Sequence, residues 1–332
     1  MAIKKIRAFD ILGNIAIVNF PKEVNAGHRS VYTRRTQDPK ALNAGAKKKF
    51  ANKIMKENKS IKTVLEKVGK VKGRLRKPTT KYIAGEKTKE VLYKENDCVF
   101  RFNIDHTYFS PRLSNERKEI AKMIKKGDEV LVMFAGVAPF SIVIAKNSKA
   151  KKVVSVEINR EANKYANLNV GLNKVKNKVE VVQKDVKKFI SSPTRDPALG
   201  FEVISQNRSP THPKLVAHLC SQNNKKQLMK NPDINSSKKS RAKRDNLTKF
   251  DVIVMPRPQL KDSFLKEAFK FSKKGTRIYY YDFCKQDETN KIVEKIEKEA
   301  KQYKKKINIL RVKKAGEIAP YKIRCRVDFV VC

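Results

Sequence analysis

Hydrophobic and polar positions follow three different patterns in the first hundred residues. Residues 8–20 form two short β-type runs joined by Gly13 and Asn14, which both tolerate the positive φ of a hairpin turn. Between residues 34 and 70 the apolar positions recur at helical spacing with lysine on the other faces, which predicts a basic amphipathic helix pair. Alternation returns at residues 81–109 and predicts a small antiparallel sheet.

After a helix predicted to begin at Asn115, strands and helices alternate to the end of the chain. The predicted strands are rich in Val, Ile, Leu and Tyr and cover residues 129–134, 152–158, 179–183, 251–255, 277–281, 306–312 and 325–331. Helices between strands indicate βαβ units and a parallel sheet, with the last strand as an antiparallel edge strand. The predicted fold class is α/β, with a Rossmann-like domain at 116–332 preceded by a small α+β domain at 1–115.

Residues 191–248 interrupt this alternation. They are rich in Ser, Asn, Pro and Lys and end in a basic cluster. An irregular stretch of this length inside a compact domain indicates an insertion. The basic cluster is suited to contact RNA, and a solvated loop is the alternative reading.

The charge narrows the classes of partner. The 332 residues include 77 Lys and Arg against 33 Asp and Glu, a net charge of +44. Such a chain favours a polyanion, first of all nucleic acid. Because 40% of the residues are apolar, a disordered basic tail is excluded and the chain is expected to fold.

Other segments argue against membranes, disulfides and metals. No apolar run approaches a membrane span and the N-terminus lacks a signal-peptide core, so a cytosolic protein is expected. The five cysteines are scattered without a CxxC pair. We expect reduced thiols, no metal site, and a monomer.

A cofactor loop follows the first strand of the Rossmann-like part. The apolar strand ends in the small-residue loop 135–139 and a helix restarts, so that a nucleotide-like ligand can approach the backbone. Glu157, about 20 residues further, is placed to hold ribose hydroxyls. Asp185, after the third strand, can accept from an adenine amino group. Together these features suggest S-adenosylmethionine; an NAD site is the alternative, but GxGxxG is absent.

The predicted cofactor site consists of the loop and the ends of the neighbouring strands. Its residues are Phe134, Ala135, Gly136, Val137, Pro139, Phe140, Glu157, Ile158, Asp185, Val186 and Met255.

The motifs at 109–117 (FSPRLSNER) and 133–140 (MFAGVAPF) resemble the archaeal and eukaryotic tRNA (guanine-37, N1)-methyltransferase family. Further matching positions are residues 9–18, 83–88, 95–96, Asn169, Asn173 and 279–283. The resemblance implies a class I S-adenosylmethionine-dependent methyltransferase fold and a tRNA substrate, bound at the anticodon stem-loop that contains guanine 37. It also implies the short archaeal branch, which lacks the N-terminal domain that grips the outer corner of tRNA.

The resemblance also implies catalytic roles. Glu116 matches the general base that removes the N1 proton, and a helix-dipole residue is its alternative role. Arg76 matches the arginine that stabilises charge on guanine O6, with a phosphate contact as the alternative and Arg74 as a second candidate. Residues 34–77 are expected to grip the tRNA.

The remaining predicted substrate-binding residues flank the target base. They are Tyr108, Phe109, Ser110, Pro111, Arg112, Pro256, Arg257 and Pro258. Tyr108 and Phe109 are suited to stack on a flipped-out guanine, although such aromatics are more often core residues.

Three positions depart from the family pattern. Pro256 stands where many members have an Asn that bonds the target base, Val132 replaces an acidic residue, and Ala138 replaces a glycine. Two alternatives to guanine N1 methylation therefore stay open: transfer of the aminocarboxypropyl arm of the same cofactor in the wybutosine pathway, and a paralogue that binds RNA without catalysis.

Overall fold

A seven-stranded mixed sheet organises most of the chain. The computed structural model describes residues 9–20, 42–69, 78–189 and 248–332. The strands are β1 Phe9–Leu12, β2 Ile15–Val18, β3 Thr63–Lys67, β4 Thr80–Gly85, β5 Glu90–Glu95, β6 Cys98–Asn103, β7 Glu129–Met133, β8 Lys152–Glu157, β9 Val179–Gln183, β10 Phe250–Met255, β11 Ser272–Lys285, β12 Ile307–Ala319 and β13 Lys322–Val331. The helices are α1 Ala44–Glu57, α2 Ser114–Met123, α3 Pro139–Asn147, α4 Arg160–Leu172, α5 Leu265–Phe271 and α6 Thr289–Gln302.

The strand order of the large sheet is β12-β13-β11-β10-β7-β8-β9. Strands β11, β10, β7, β8 and β9 are parallel. The central strands β7 and β10 are apolar over four successive buried residues or more, as expected where helices cover both faces of a sheet. The α/β Rossmann-like fold is therefore confirmed.

The C-terminal end of this sheet differs from the prediction. Strand β13 is antiparallel to both neighbours, but it lies between β11 and β12, so β12 is the edge strand. A two-residue turn at Pro320 and Tyr321 joins β12 to β13 and forces them to be adjacent. The predicted edge position of the last strand was wrong.

The first part of the chain forms a second sheet of order β1-β2-β3-β4, on which α1 packs. The hairpin at Gly13 and Asn14 is confirmed. The predicted helix pair is not: α1 is a helix, but residues 63–67 form β3, parallel to β2 and antiparallel to β4. Thr63, Val64 and Leu65 are all buried there, because both faces of β3 are covered.

Strands β5 and β6 form a separate two-stranded sheet whose two outer edges are closed by asparagine side chains. On the β5 edge, Asn14 accepts from the backbone N–H of Leu92 at 2.8 Å. On the β6 edge, Asn169 of α4 and Asn173 at its C-cap accept from the backbone N–H groups of Arg101 and Val99, each at 2.8 Å. Gly13 allows this close approach: a Cβ at this residue would lie 1.8 Å from the Leu92 carbonyl oxygen.

The described residues from 9 to 189 and from 249 to 332 belong to one compact unit. Within it, Leu12 and Ile15 share a hydrophobic core with Val130 and Val132 of the large sheet. The domain boundary near residue 115 and the insertion stay predictions from sequence. Among the helices in the described ranges, none has the length and apolar character that a bilayer crossing requires, and no group of His, Cys, Asp and Glu there is suited to hold a metal.

Candidate functional site

A cleft opens at the carboxyl ends of β7, β8, β9 and β10. It encloses about 1000 Å³, including its open mouth. Parallel strands of a doubly wound sheet bind ligands at this edge, because the loops that follow the strands diverge there. The cleft is lined by Tyr108, Phe109, Ser110, Leu113, Arg117, Phe134, Ala135, Gly136, Pro139, Phe140, Val156, Glu157, Ile158, Asn159, Ala162, Lys184, Asp185, Val186, Pro256, Arg257, Pro258, Leu260 and Arg324.

The loop between β7 and α3 has unusual backbone geometry. Phe134, Gly136 and Ala138 have φ of 57°, 58° and 65°, in the left-handed region. An alanine there costs about 1 kcal/mol relative to glycine, which explains why a glycine is customary at position 138. Ala138 is fully buried, so its methyl group packs in the core and does not narrow the cleft.

Glu157 connects this loop to α4. One carboxylate oxygen accepts from the backbone N–H of Gly136 and the other from that of Asn159, both at 2.8 Å. Each oxygen retains acceptor capacity for a further donor. A pair of vicinal hydroxyls, as in a ribose, fits this carboxylate at the floor of the cleft.

Asp185 lies at the end of the next strand and caps a short helical turn by accepting from the Lys187 N–H at 3.1 Å. Ile158, which follows Glu157, and Val186, which follows Asp185, supply apolar cleft surface on which a purine ring can pack. With the Glu157 carboxylate suited to ribose hydroxyls and the Asp185 carboxylate suited to an adenine amino group, the residues present fit S-adenosylmethionine.

The opposite wall of the cleft is fixed by a buried ion pair. Arg117, at the start of α2, forms a two-point salt bridge with Glu95 and donates to the Ser110 carbonyl at 3.0 Å. Its guanidinium also lies 5.0 Å from the Phe109 ring centre. Phe109 is only 9% exposed and stacks on Phe102, so it is a core residue that forms part of the wall. Tyr108 is half-buried and remains the better stacking candidate.

The loop after β10 closes the third side. Arg257 is almost fully buried and pairs with Asp282, and it donates to the carbonyls of Leu260 and Asp262 at 2.7 Å each. Its Nε has no hydrogen-bond partner among the described residues. The guanidinium therefore holds the loop against β11, which leaves Pro256 and Pro258 as rigid apolar cleft surface.

Glu116 lies in a buried cluster behind this wall. Its carboxylate accepts from Arg326 at 2.6 Å and from Tyr281 at 3.0 Å, and it lies 2.9 Å from Lys313. Burial, and after it the Glu116 charge, raises the pKa of the Tyr281 hydroxyl well above its usual value, so that this group stays a donor. Tyr281 packs edge to face on Phe140, which lines the cleft.

Glu119, one turn along α2, contacts the same two cations. Burial raises the pKa of its carboxyl, but hydrogen bonds from Lys313 and Arg326 outweigh burial and hold the pKa at about 2. Because the folded state lowers this pKa, the stabilisation is complete above the unfolded value near 4.5 and is lost as the pH falls towards 2.

We therefore expect Glu119→Gln to lower the free energy of unfolding by about 1–2 kcal/mol at pH 6, after allowance for solvent screening. The difference from the parent should shrink at pH 4 and further at pH 3. Urea unfolding at each pH measures it, with Glu57→Gln in an exposed helix pair as the control, expected to stay within about 0.5 kcal/mol. A difference for Glu119→Gln that does not change with pH would contradict the assignment.

The structure brings most of the predicted site residues together. Nine of the predicted cofactor residues line the cleft: Phe134, Ala135, Gly136, Pro139, Phe140, Glu157, Ile158, Asp185 and Val186. The predicted substrate residues that line it are Tyr108, Phe109, Ser110, Pro256, Arg257 and Pro258. Arg74 and Arg76 lie outside the described residues.

Five predicted residues are placed elsewhere, namely Val137, Met255, Glu116, Pro111 and Arg112. Val137 and Met255 are fully buried in the core, and Glu116 faces the cluster with Arg326. Arg112 is on the surface, 3.5 Å from Asp10. Their predicted contacts with ligands stay predictions.

Sequence reasoning missed several lining residues, of which Arg117, Asn159, Lys184 and Arg324 carry polar groups. Asn159 donates to the His106 carbonyl at 2.9 Å and caps α4, and its place two residues after Glu157 is a usable signal. Arg324 reaches the cleft through the pairing of β13 with β11, which no local pattern reveals.

Comparison with known proteins gives family matches over both parts of the chain. Residues 91–204 match the model of the TRM5/TYW2 methyltransferase domain, and residues 3–88 match that of the TYW2 N-terminal domain. The N-terminal residues thus correspond to a known domain, and the absence of a domain that grips the outer corner of tRNA stays a prediction.

Two curated relatives and one solved structure illustrate the similarity. The tRNA (guanine(37)-N(1))/4-demethylwyosine(37)-methyltransferase Taw22 of Nanoarchaeum equitans is 34% identical over 281 residues, which is 84% of this chain and 92% of the relative. The tRNA (guanine(37)-N(1))-methyltransferase Trm5b of Pyrococcus abyssi is 36% identical over 152 residues, 46% of this chain and 40% of the relative. The crystal structure of Trm5b from that organism superposes with a TM-score of 0.69 at 27% identity, over 98% of this chain and 75% of that one.

Proposed function

Because this chain belongs to the TRM5/TYW2 methyltransferase family, we propose that it is the enzyme that methylates N1 of guanine 37 in tRNA, next to the anticodon. Its cofactor is S-adenosylmethionine, which the cleft residues fit. The finer assignment to guanine N1 rests on the identity with Taw22 and Trm5b and on the residues of the cleft.

One observation carries the proposal. Glu157 and Asp185, which we propose for the cofactor, line the same cleft as Tyr108, Ser110 and Pro256, which we propose for the target base. A reacting base and a methyl donor must meet within about 3–3.5 Å. A cleft with both kinds of wall can hold the two reactants at that distance, whereas a surface that only bound RNA would need no cofactor side.

The residues of this chain would then position the reactants and accept a proton. When bound, S-adenosylmethionine supplies an electrophilic methyl group. Glu157 and Asp185 would hold the ribose and adenine ends of the cofactor. Tyr108, which lines the cleft, would stack on a flipped-out guanine, and Pro256 would limit the movement of that base as a rigid apolar contact.

Guanine N1 loses a proton as it gains the methyl group, so a base is required. We assign this role to Glu116, as the resemblance to the family implies. Its buried carboxylate is held by Arg326 and Tyr281 and does not line the cleft, so the assignment requires that the bound guanine reaches it. Arg76 is assigned to stabilise the negative charge that develops on guanine O6. Pro256 has no polar side-chain atom, so base recognition falls to other groups of the target wall.

The test is methyl transfer from radiolabelled cofactor to a tRNA transcript, followed by nucleoside analysis of the product. We expect 1-methylguanosine at position 37, and no transfer when guanine 37 is replaced by adenine. Transfer that survives this replacement would overturn the choice of target. If the protein binds tRNA but has no measurable affinity for the cofactor, it is an RNA-binding paralogue instead.

A second target is favoured by one observation. The relative that this chain covers over 92% of its length is named for both guanine 37 and 4-demethylwyosine 37. The same assay on tRNA carrying 4-demethylwyosine decides this case. Mass spectrometry of the nucleosides separates a transferred methyl group from the heavier aminocarboxypropyl group, which is the remaining alternative.

The anticodon stem-loop is the proposed contact of the tRNA, with residues 34–77 contributing to the grip. With a net charge of +44, tRNA affinity is expected to depend strongly on salt. The monomeric state and the cytosolic location stay predictions.

A further inference from the structure

The turn between β12 and β13 places a large aromatic side chain in open solvent. Tyr321 is 86% exposed, more than any other exposed large hydrophobic residue of the described chain. It is at the second position of the two-residue turn between Ala319 and Lys322, which pair with each other. A large ring with so little contact within its own chain is available to an external partner.

The backbone at this position is strained for the residue it carries. Tyr321 has φ of 59°, in the left-handed region where glycine or asparagine is the usual choice after a proline. A tyrosine there has an energetic cost, and its ring gains little burial in return. A residue that disfavours its backbone conformation, and whose side chain gains no burial in return, is often functional.

The turn is anchored rather than loose. The backbone N–H of Gln286, just after β11, donates to the Tyr321 carbonyl at 3.1 Å. The turn is therefore tied to two strands of the large sheet, and the ring is presented from a fixed backbone.

Positively charged side chains lie between this turn and the cleft. In the register of β11 and β13, Lys285 pairs with Lys322 and Phe283 pairs with Arg324, so these four side chains share one face. Arg324 lies 5.2 Å from the centre of the Phe283 ring and lines the cleft. Tyr321 is three residues from Arg324, about 10 Å along the strand.

Two of these cations have no acidic partner within ion-pair distance in the described ranges. Lys322 and Arg324 form no ion pair there, whereas Lys285 lies near Glu288, which is paired with Lys291 and whose pKa the Lys285 charge helps to lower. An aromatic ring beside such cations, at the edge of the cleft, is the combination that binds unpaired nucleotides through stacking and phosphate contacts.

We propose that Tyr321 is a stacking platform for an unpaired base of the RNA substrate next to the target nucleotide, with Lys322 and Arg324 holding the intervening phosphates. The proposal rests on the proposed function for the identity of the RNA. It adds an RNA contact on the C-terminal hairpin, which is far along the sequence from the basic region 34–77.

The first test is Tyr321→Gly, which removes the ring and suits the backbone, since glycine adopts this φ freely. We expect an unchanged or higher Tm and unchanged cofactor affinity. KM for the tRNA transcript should rise roughly 10-fold, the order expected for loss of one stacked base, with kcat nearly unchanged. Tyr321→Phe keeps the ring and should restore the parent KM. A parent-like KM in the stable Tyr321→Gly variant would overturn the proposal.

The second test uses the absence of tryptophan from the chain. Tyr321→Trp creates a single reporter, whose fluorescence should be quenched on titration with tRNA by stacking on a base. Leu310→Trp is the matched control. Leu310 lies on β12 and is 57% exposed, and a tryptophan there should show little quenching. Equal quenching at both positions, or none at residue 321, would contradict the platform.

The two proposals can fail separately. If the parent transfers no methyl group to guanine 37 but the fluorescence of the Tyr321→Trp variant is quenched by tRNA, the proposed reaction is wrong and the stacking surface stands. If methyl transfer is normal and both the Tyr321→Gly variant and the fluorescent reporter show no effect, only the stacking proposal is overturned.

Discussion

Glu116→Gln is expected to lower the single-turnover rate of methyl transfer by roughly 10²–10⁴-fold, the range for loss of a general base. The amide keeps the size of the carboxylate and can still accept from Tyr281, but it cannot take the N1 proton. Binding of tRNA and cofactor should change little, because the amide has the size and shape of the carboxylate it replaces. The rate is measured with enzyme in excess over a guanine 37 transcript at saturating cofactor.

The control for this experiment lies one turn away on the same helix. Glu119 contacts the same two cations, Lys313 and Arg326, so Glu119→Gln removes a comparable negative charge from the cluster. We expect it to keep the methyl-transfer rate within a few-fold of the parent. Equal rate losses in the two variants would mean that the cluster acts only as a support, and an unaffected Glu116→Gln rate would remove the base assignment.

The second large effect is expected for Glu157→Gln. The carboxylate bonds two backbone N–H groups and is proposed to accept from the ribose hydroxyls. An amide offers one acceptor oxygen in place of two. Since charged hydrogen bonds contribute about 1.5–3 kcal/mol each, affinity for S-adenosylhomocysteine should fall roughly 100-fold. Isothermal titration calorimetry measures this affinity directly.

Glu180→Gln is the matched control on the neighbouring strand. Glu180 is half exposed and pairs with Lys152, away from the cleft. We expect its affinity for S-adenosylhomocysteine to equal that of the parent. If Glu157→Gln binds equally well, the ribose is held by other groups, and the carboxylate serves only to tie Gly136 to Asn159.

The alternation of strands and helices was sufficient to predict the Rossmann-like sheet. Strands such as β7 and β10 are continuous apolar runs, because both of their faces are covered. The spacing of apolar residues did not predict the structure of residues 63–67. Thr63, Val64 and Leu65 fall within a longer helical pattern, and only their burial between β2 and β4 makes them a strand. Tertiary contacts, rather than the local sequence pattern, therefore determine the secondary structure of that segment.

The cofactor side of the cleft was predictable because its residues follow one another at strand ends. Glu157 is the last residue of β8 and Asp185 comes two residues after β9, so both lie at the carboxyl ends of neighbouring parallel strands. The partners of Glu116 were not predictable, since Tyr281 and Arg326 are more than 160 positions away along the chain. Arg324 and Tyr321 were missed for a related reason: their meaning depends on the register of a hairpin placed inside the sheet.

The asparagine side chains that close the small β5–β6 sheet have a consequence for the behaviour of the protein in solution. An open strand edge is a template for pairing with another molecule. Asn14 on one edge and Asn169 with Asn173 on the other replace a missing strand, since each amide carries both a donor and an acceptor. The hairpin thus gains its missing neighbours from within its own chain, and neither edge is left to recruit a second copy into an aggregate.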